Sequence, residues 1–208
     1  MKLKKISLLI FILILLDQIL KIWIKTHLQI NESIMVFDDW FQLRFIENNG
    51  AAFGMQLATP GDFDWGKLVL GLFRIGMVAI IGWILYNMTT KRDEMERPAP
   101  KGVVIGLALI MAGALGNIID SAFYGLIFSE STPFTVAEFG GSYAGLMMGK
   151  VVDMFYFPLF QWNSCPGFLK FLVDSNNYFF GAIFNLADAY ISVAAVYLIL
   201  FQYKYFTK

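Results

Sequence analysis

Four apolar runs of roughly twenty residues constrain this chain more than any other feature: 6–24, 68–88, 102–119 and 181–203. At 1.5 Å rise per residue, about 20 helical residues cross a hydrocarbon core of about 30 Å. The expected fold is therefore an all-α membrane protein: a four-transmembrane-helix bundle, one integral domain over residues 1–208. Composition agrees, because only 15% of residues are charged and 58% are hydrophobic, which a soluble domain of this size rarely shows. The first run follows Lys2, Lys4 and Lys5 as a secretory signal would. It lacks a small-residue cleavage site, and Asp17, Lys21 and Lys25 come instead, so it reads as a retained helix.

Basic residues set the expected orientation. Lys2, Lys4, Lys5, Lys91, Arg92, Arg97, Lys101, Lys204 and Lys208 are 9 of the 16 Lys and Arg, and all flank one end of the spans. The positive-inside rule makes that side cytoplasmic, with both termini inside. Segments of about 25–67 and 120–180 then face outward. In the first, Trp40, Gln42, Arg44 and Ile46 alternate with Phe41, Leu43 and Phe45, which predicts a short strand or hairpin. The second is rich in Gly, Ser, Phe and Tyr, and its aromatic residues suit a surface at headgroup level.

Several chemistries are excluded early. A net charge of zero offers no concentrated basic face for nucleic acid. The single cysteine, Cys165, forms no internal disulfide or CxxC metal site. The single histidine, His27, is far from Cys165 in sequence and rules out an HExxH zinc site.

Carboxylates in a membrane need a reason, at about 2.5–3.5 kcal/mol each by insertion scales. Four stand out: Asp17, Asp120, Asp153 and Asp188. Counted along helices from Lys5, Lys101 and Lys204, Asp17, Asp120 and Asp188 lie about 18, 28 and 24 Å from the cytoplasmic ends. Asp153, in the apolar stretch GKVVDMFYF, is expected to dip back on a re-entrant helix. All four converge on the outer leaflet. Asn117 with Asp120, and Asn185 with Asp188, are each three apart and share a helix face, so each Asn is placed to hydrogen-bond near its Asp. Gly113 and Gly116 leave the third helix a thin face for close approach. The turn Asn48, Asn49, Gly50, Ala51, Ala52, Phe53 offers backbone amides to an extended peptide or an oxyanion.

Plainer readings compete. Asp17 and Lys21 form an i, i+4 pair that fixes the end of the first helix, and Asp120 at a helix end reads as structural support. Arg74 snorkels or pairs within the bundle. On spacing alone, Asp153 and Asp188 stay open between bracing helix contacts and chemistry.

The ordered series LDQILK (16–21), NNGAAFG (48–54), GALGNIID (113–120), GKVVDM (149–154) and FNLADAYISVA (184–194) resembles lipoprotein signal peptidase, also called signal peptidase II. The resemblance runs through all four apolar runs in order. It implies a bacterial inner-membrane aspartic endopeptidase, with its site near the periplasmic face. Such an enzyme removes signal peptides from prolipoproteins just before the diacylglyceryl-modified cysteine. The implied catalytic pair is Asp153 and Asp188, supported by Asn48, Gly50, Asn117, Asp120, Asn185 and Asp17, with no metal or cofactor. The resemblance also implies a small extramembrane β-cradle, a periplasmic amphipathic or re-entrant helix, and inhibition by globomycin. The expected partners are prolipoproteins and membrane lipids, and the expected state is a monomer. Two departures stand out: Ser121 follows Asp120 where the family usually has Arg, and the stretches 121–150 and 154–184 are longer than typical. A proton-coupled transporter using the same carboxylates, or a non-catalytic scaffold, would be the alternatives; the former calls for a polar path continuing inward, which spans one and four lack.

Overall fold

The computed structural model describes residues 2–38, 40–49, 65–91, 97–173 and 176–207, the side chains of 171 and 172 excepted. Helix α1 (Leu3–His27) exposes Leu8, Phe11, Leu15 and Ile19 and buries Ile6, Asp17, Lys21, Ile24 and Lys25. That distribution suits a lipid solvent: apolar side chains are at home facing acyl chains, and the polar stripe turns to the protein interior. Helix α2 (Trp65–Thr90) buries Gly71, Ile81, Leu85 and Met88, while helix α3 (Lys101–Ile119) sits centrally against α1, α2 and a later helix. A π-turn at Asp120–Tyr124 and one α-turn at Gly125–Ile127 carry α3 onward, giving a third apolar helical stretch of 27 residues. Among the described residues, three helices are thus long and apolar enough to cross a membrane.

Helix α4 (Leu186–Phe201) begins later and is shorter than the run 181–203 suggests. Its 16 residues extend about 24 Å. The start is set by Asn185, whose side chain accepts from the Asp188 amide while the Asp188 carboxylate accepts from the Asn185 amide, a reciprocal capping box. Upstream, Phe184 is held in extended conformation, exchanging backbone bonds with Phe155 at 2.7 and 3.2 Å. Continuous hydropathy hid this change from strand-like to helical backbone.

The sheet has strand order β1–β2–β3, all antiparallel: Ser33–Phe37, Phe41–Asn48 and Val151–Tyr156. The hairpin expected at 40–46 is therefore β1 and β2. Asp153 stands on a strand, β3, and not on a re-entrant helix. The reason lies in composition and pairing. Val151, Val152, Phe155 and Tyr156 favour extended backbone, and β2 supplies the ladder, with Ile46 opposite Asp153. Both faces of β3 are covered, so no apolar–polar alternation marks it. Val152 and Met154 join a core with Ile24, Leu28, Phe45, Tyr124, Phe128 and Ala137. Side chains alternate across a strand, which turns Asp153 to the opposite face. A second core, containing Ile6, Ile81, Leu85, Met88 and Val104, fills the other end of the bundle. There Arg97 donates to the Lys204 carbonyl at 3.2 Å. Within 128–150 and 157–184 the described residues form turns, isolated bridges and one 3-10 segment, Gly167–Leu172.

Candidate active site

Strand β3 and the first turn of α4 bring Asp153 and Asp188 to one place. Asn185 holds both. Its Nδ2 donates to Asp153 Oδ1 at 2.8 Å, and its backbone N–H donates to Asp188 Oδ2 at 3.4 Å. From β2, Asn48 Nδ2 donates to Asp153 Oδ2 at 3.4 Å. From α3, Asn117 Nδ2 donates to Asp188 Oδ1 at 2.8 Å. Asn117 Oδ1 accepts from Asn185 Nδ2 at 3.1 Å, which closes the ring of amides between the two acids. Asp153 is buried and Asp188 half-buried, so the pair is reached from the Asp188 side.

A second carboxylate pair lies behind the first. Lys21 Nζ contacts Asp17 Oδ2 at 3.0 Å and Asp120 Oδ2 at 2.8 Å, and all three groups are essentially inaccessible. Gln18 Nε2 donates to Asp17, to the Gly116 carbonyl and to Asp120 Oδ1, at 3.1, 3.2 and 2.9 Å. Tyr124 donates to Gln18 Oε1 at 3.1 Å. Asp120 Oδ2 also accepts from the Val152 amide at 3.2 Å, tying α3 to the strand that bears Asp153. Asp17 Oδ1 accepts from the Ala187 amide at 3.0 Å, tying α1 to the start of α4.

Close helix approach makes this possible. A Cβ on Gly113 would strike the Ala187 carbonyl oxygen, and one on Gly116 would lie 2.6 Å from Asp17 Oδ2. Only glycine lets α1 and α4 approach α3 closely enough for these bonds.

Burial first, then the neighbouring charge of Asp188, pushes the Asp153 carboxyl up to about 7; Lys21, Asn185 and Asn48 oppose the rise. Near neutral pH the pair therefore holds a proton, and Asp153 is where burial favours it.

The structure gathers Asp17, Asn48, Asn117, Asp120, Asp153, Asn185 and Asp188 in this one region. Gly50 and the turn that follows it lie outside the described residues. The expected Asn–Asp partnerships are crossed: Asn117 bonds Asp188 across the helix interface, and Asp120 is served by Gln18, Lys21 and Val152. Asn185 does bond Asp188, through the cap, and Asp153 as well. Ser121, in the place of a family arginine, returns its hydroxyl to the Asn117 carbonyl at 3.0 Å. Sequence reasoning missed Gln18, although an amide in an apolar run beside Asp17 was a signal. It also missed a further buried ion pair, Lys25 with Glu47, flanked by Ser131 and Lys150.

Comparison with known proteins points to one family and one fold. A family model described as signal peptidase (SPase) II matches residues 9–204. A lipoprotein signal peptidase of Porphyromonas gingivalis is 39% identical over 199 residues, covering 95% of this chain and 82% of the relative. One from Amoebophilus asiaticus is 29% identical over 191 residues, 90% of this chain and 72% of the relative. A solved bacterial membrane enzyme at 2.3 Å resolution aligns with a TM-score of 0.60 and 20% identity, covering 99% of this chain and 91% of the other. A second, at 1.9 Å, gives 0.59, with 95% and 92% covered. These two speak for the fold. The matching relatives are peptidases, which sets the transporter and scaffold readings aside.

Proposed function

This chain belongs to the signal peptidase II family, and we propose that it removes signal peptides from diacylglyceryl-modified prolipoproteins, cutting before the lipid-modified cysteine. Asp153 and Asp188 are the catalytic pair in this reading. One observation carries it: a single residue, Asn185, binds a carboxylate from β3 and a carboxylate from α4.

Asp188, accepting N–H bonds on both oxygens at the positive end of a helix, is the general base. It takes a proton from water as the water oxygen attacks the scissile carbonyl carbon. Asp153 starts protonated. Its Oδ2, whose contact among the described residues is Asn48 at 3.4 Å, has room for the proton and donates to the carbonyl oxygen. The tetrahedral intermediate then collapses, the C–N bond breaks, and the amine leaves with a proton returned from the pair. Asn48, Asn117 and Asn185 orient the two acids, Asp17 and Asp120 hold the helices beneath them, and backbone amides around Gly50 receive the peptide.

The whole chain acts as one membrane domain. In this proposal α4, with the short turn Tyr203–Phe206, is a fourth span, and both termini are cytoplasmic. The site then opens near the outer face of the inner membrane, and the diacylglyceryl chains stay in lipid beside the helices. The monomer is the working unit, and globomycin blocks it.

Cleavage of a diacylglyceryl-modified prolipoprotein by the protein in lipid tests the reading. Asp153→Asn and Asp188→Asn should each lower turnover by about 10²–10⁴-fold with insertion unchanged. Wild-type turnover should vanish with globomycin and with substrate lacking the lipid. More than a tenth of wild-type activity in either variant overturns the pair.

A further inference from the structure

Lys21 does more than neutralise its neighbours. Besides the two carboxylates, its Nζ reaches a third acceptor, Asn117 Oδ1, at 2.9 Å. An ammonium has three N–H donors and no acceptor, so all three are committed, and any group facing it must present oxygen. A side-chain amide carries oxygen and nitrogen on opposite sides. With Asn117 Oδ1 turned to Lys21, Nδ2 is turned to Asp188 Oδ1, where it sits at 2.8 Å. The flipped amide would set its NH2 against an ammonium and its oxygen against a carboxylate, two repulsive contacts in a site with little water.

The same choice reaches Asp153. Asn117 Oδ1 accepts from Asn185 Nδ2 at 3.1 Å, and that nitrogen donates to Asp153 Oδ1 at 2.8 Å. Asn185 Oδ1 is already occupied by the Asp188 amide at 2.9 Å. One charged group, touching neither acid of the pair, thus fixes which atom of Asn117 faces Asp188 and supports the Asn185 bond to Asp153. We infer that Lys21 is a positioning residue for the peptidase: it locks the Asn117 amide so that both proposed catalytic carboxylates meet donors and never a second oxygen. The inference rests on the peptidase reading above.

Lys21→Met alone leaves two buried carboxylates without a cation, a strongly destabilising change whatever the role. The informative variant is Lys21→Met with Asp17→Asn. The wild-type cluster of two carboxylates and one ammonium has net charge −1, and so has the double variant with Asp120 alone. The double variant should recover melting temperature relative to Lys21→Met. Its turnover should stay about 10–100-fold below wild type, with KM changed less than threefold and the pH–rate profile displaced. On an Asn117→Leu background, the same two substitutions should cost no further turnover, since the residue through which Lys21 acts is gone. Wild-type turnover and an unmoved profile in the double variant overturn the inference, and so does an additive loss on the Asn117→Leu background. Lys21→Arg, which keeps a donor-only group against Asn117, is the second variant. Turnover closer to wild type than to Asn117→Leu supports the inference; a well-folded Lys21→Arg protein as slow as Asn117→Leu overturns it. A silent wild type would instead remove the peptidase reading and this inference together.

Discussion

The molecule contains two carboxylate pairs within a few side chains of each other, and they differ in what stands between them. Asp17 and Asp120 share an ammonium, Lys21, and are sealed from solvent. Asp153 and Asp188 share a neutral amide, Asn185, and one of them is half-open. A cation between two acids offsets their mutual repulsion and ties α1 to α3. A neutral spacer leaves the acids facing one another, so the second charge is disfavoured and a proton is kept. One kind of side chain is thereby made into a brace in one place and, in the proposed reaction, a proton carrier in the other. The difference is set by whether position 21 or position 185 contributes the bridging group.

The comparison can be broken at the helix contact that carries both pairs. Gly113→Val would push a branched side chain into the Ala187 carbonyl, one residue from Asp188, and force α4 away from α3. A misplacement near 1 Å costs about 100-fold in turnover. The expected outcome is that loss in the prolipoprotein assay, with the protein still inserted; unchanged activity would show that the two pairs do not depend on this contact.

The pH dependence sharpens it. With the Asp153 carboxyl pushed up to about 7, the acid member of the pair loses its proton as pH rises through that value. kcat/KM should then fall about tenfold per unit above the break. The break belongs to the pair as a whole. A profile flat from pH 6 to 9 would show that no shared proton is needed.

The smallest effect is the most diagnostic, because one type of substitution should act with opposite signs. A carboxyl raised in the folded state binds a proton there that an ordinary carboxylate, near 4, would release in the unfolded chain. Stability is therefore lost as pH rises from about 4 to about 7 and stays lost above it. Asp153→Asn removes this penalty and should raise stability at pH 8 by about 2 kcal/mol, with the gain shrinking toward pH 4. Asp120→Asn takes a charge from Lys21 and should lower stability by about 2 kcal/mol at the same pH. Thermal unfolding of both variants at pH 5 and pH 8 measures the two signs; equal signs would mean that the pairs are not distinct environments.

Much of this was legible in the residues themselves. The first three apolar runs became helices because length and hydropathy leave lipid-facing segments little alternative, and the alternation at 40–46 became β2 with its hairpin partner. The rest was hidden for identifiable reasons. Strand β3 is covered on both faces, so VVDMFY carries no period to read. The beginning of α4 was lost in continuous hydropathy, although Asn185 followed three residues later by Asp188 is a recognisable cap pattern. Spacing says which residues share a face of their own helix, but not what that face meets. Asn117 was therefore paired with Asp120 in the sequence and bonds Asp188 across the interface in the fold. The four acids were found because charge in a membrane is conspicuous; Gln18, uncharged, was not.

The capping box at Asn185 has a consequence for biosynthesis. The residue that begins the helix also clamps the two acids, and Asp188 follows the first three helices in chain order. While a ribosome is still threading the earlier segments into the bilayer, Asp153 lacks Asn185 and Asp188, and its clamp is not yet made. If Asp153 and Asp188 are the proposed catalytic pair, proteolytic competence would therefore switch on late and all at once, with the docking of α4, leaving the half-built chain harmless to its surroundings.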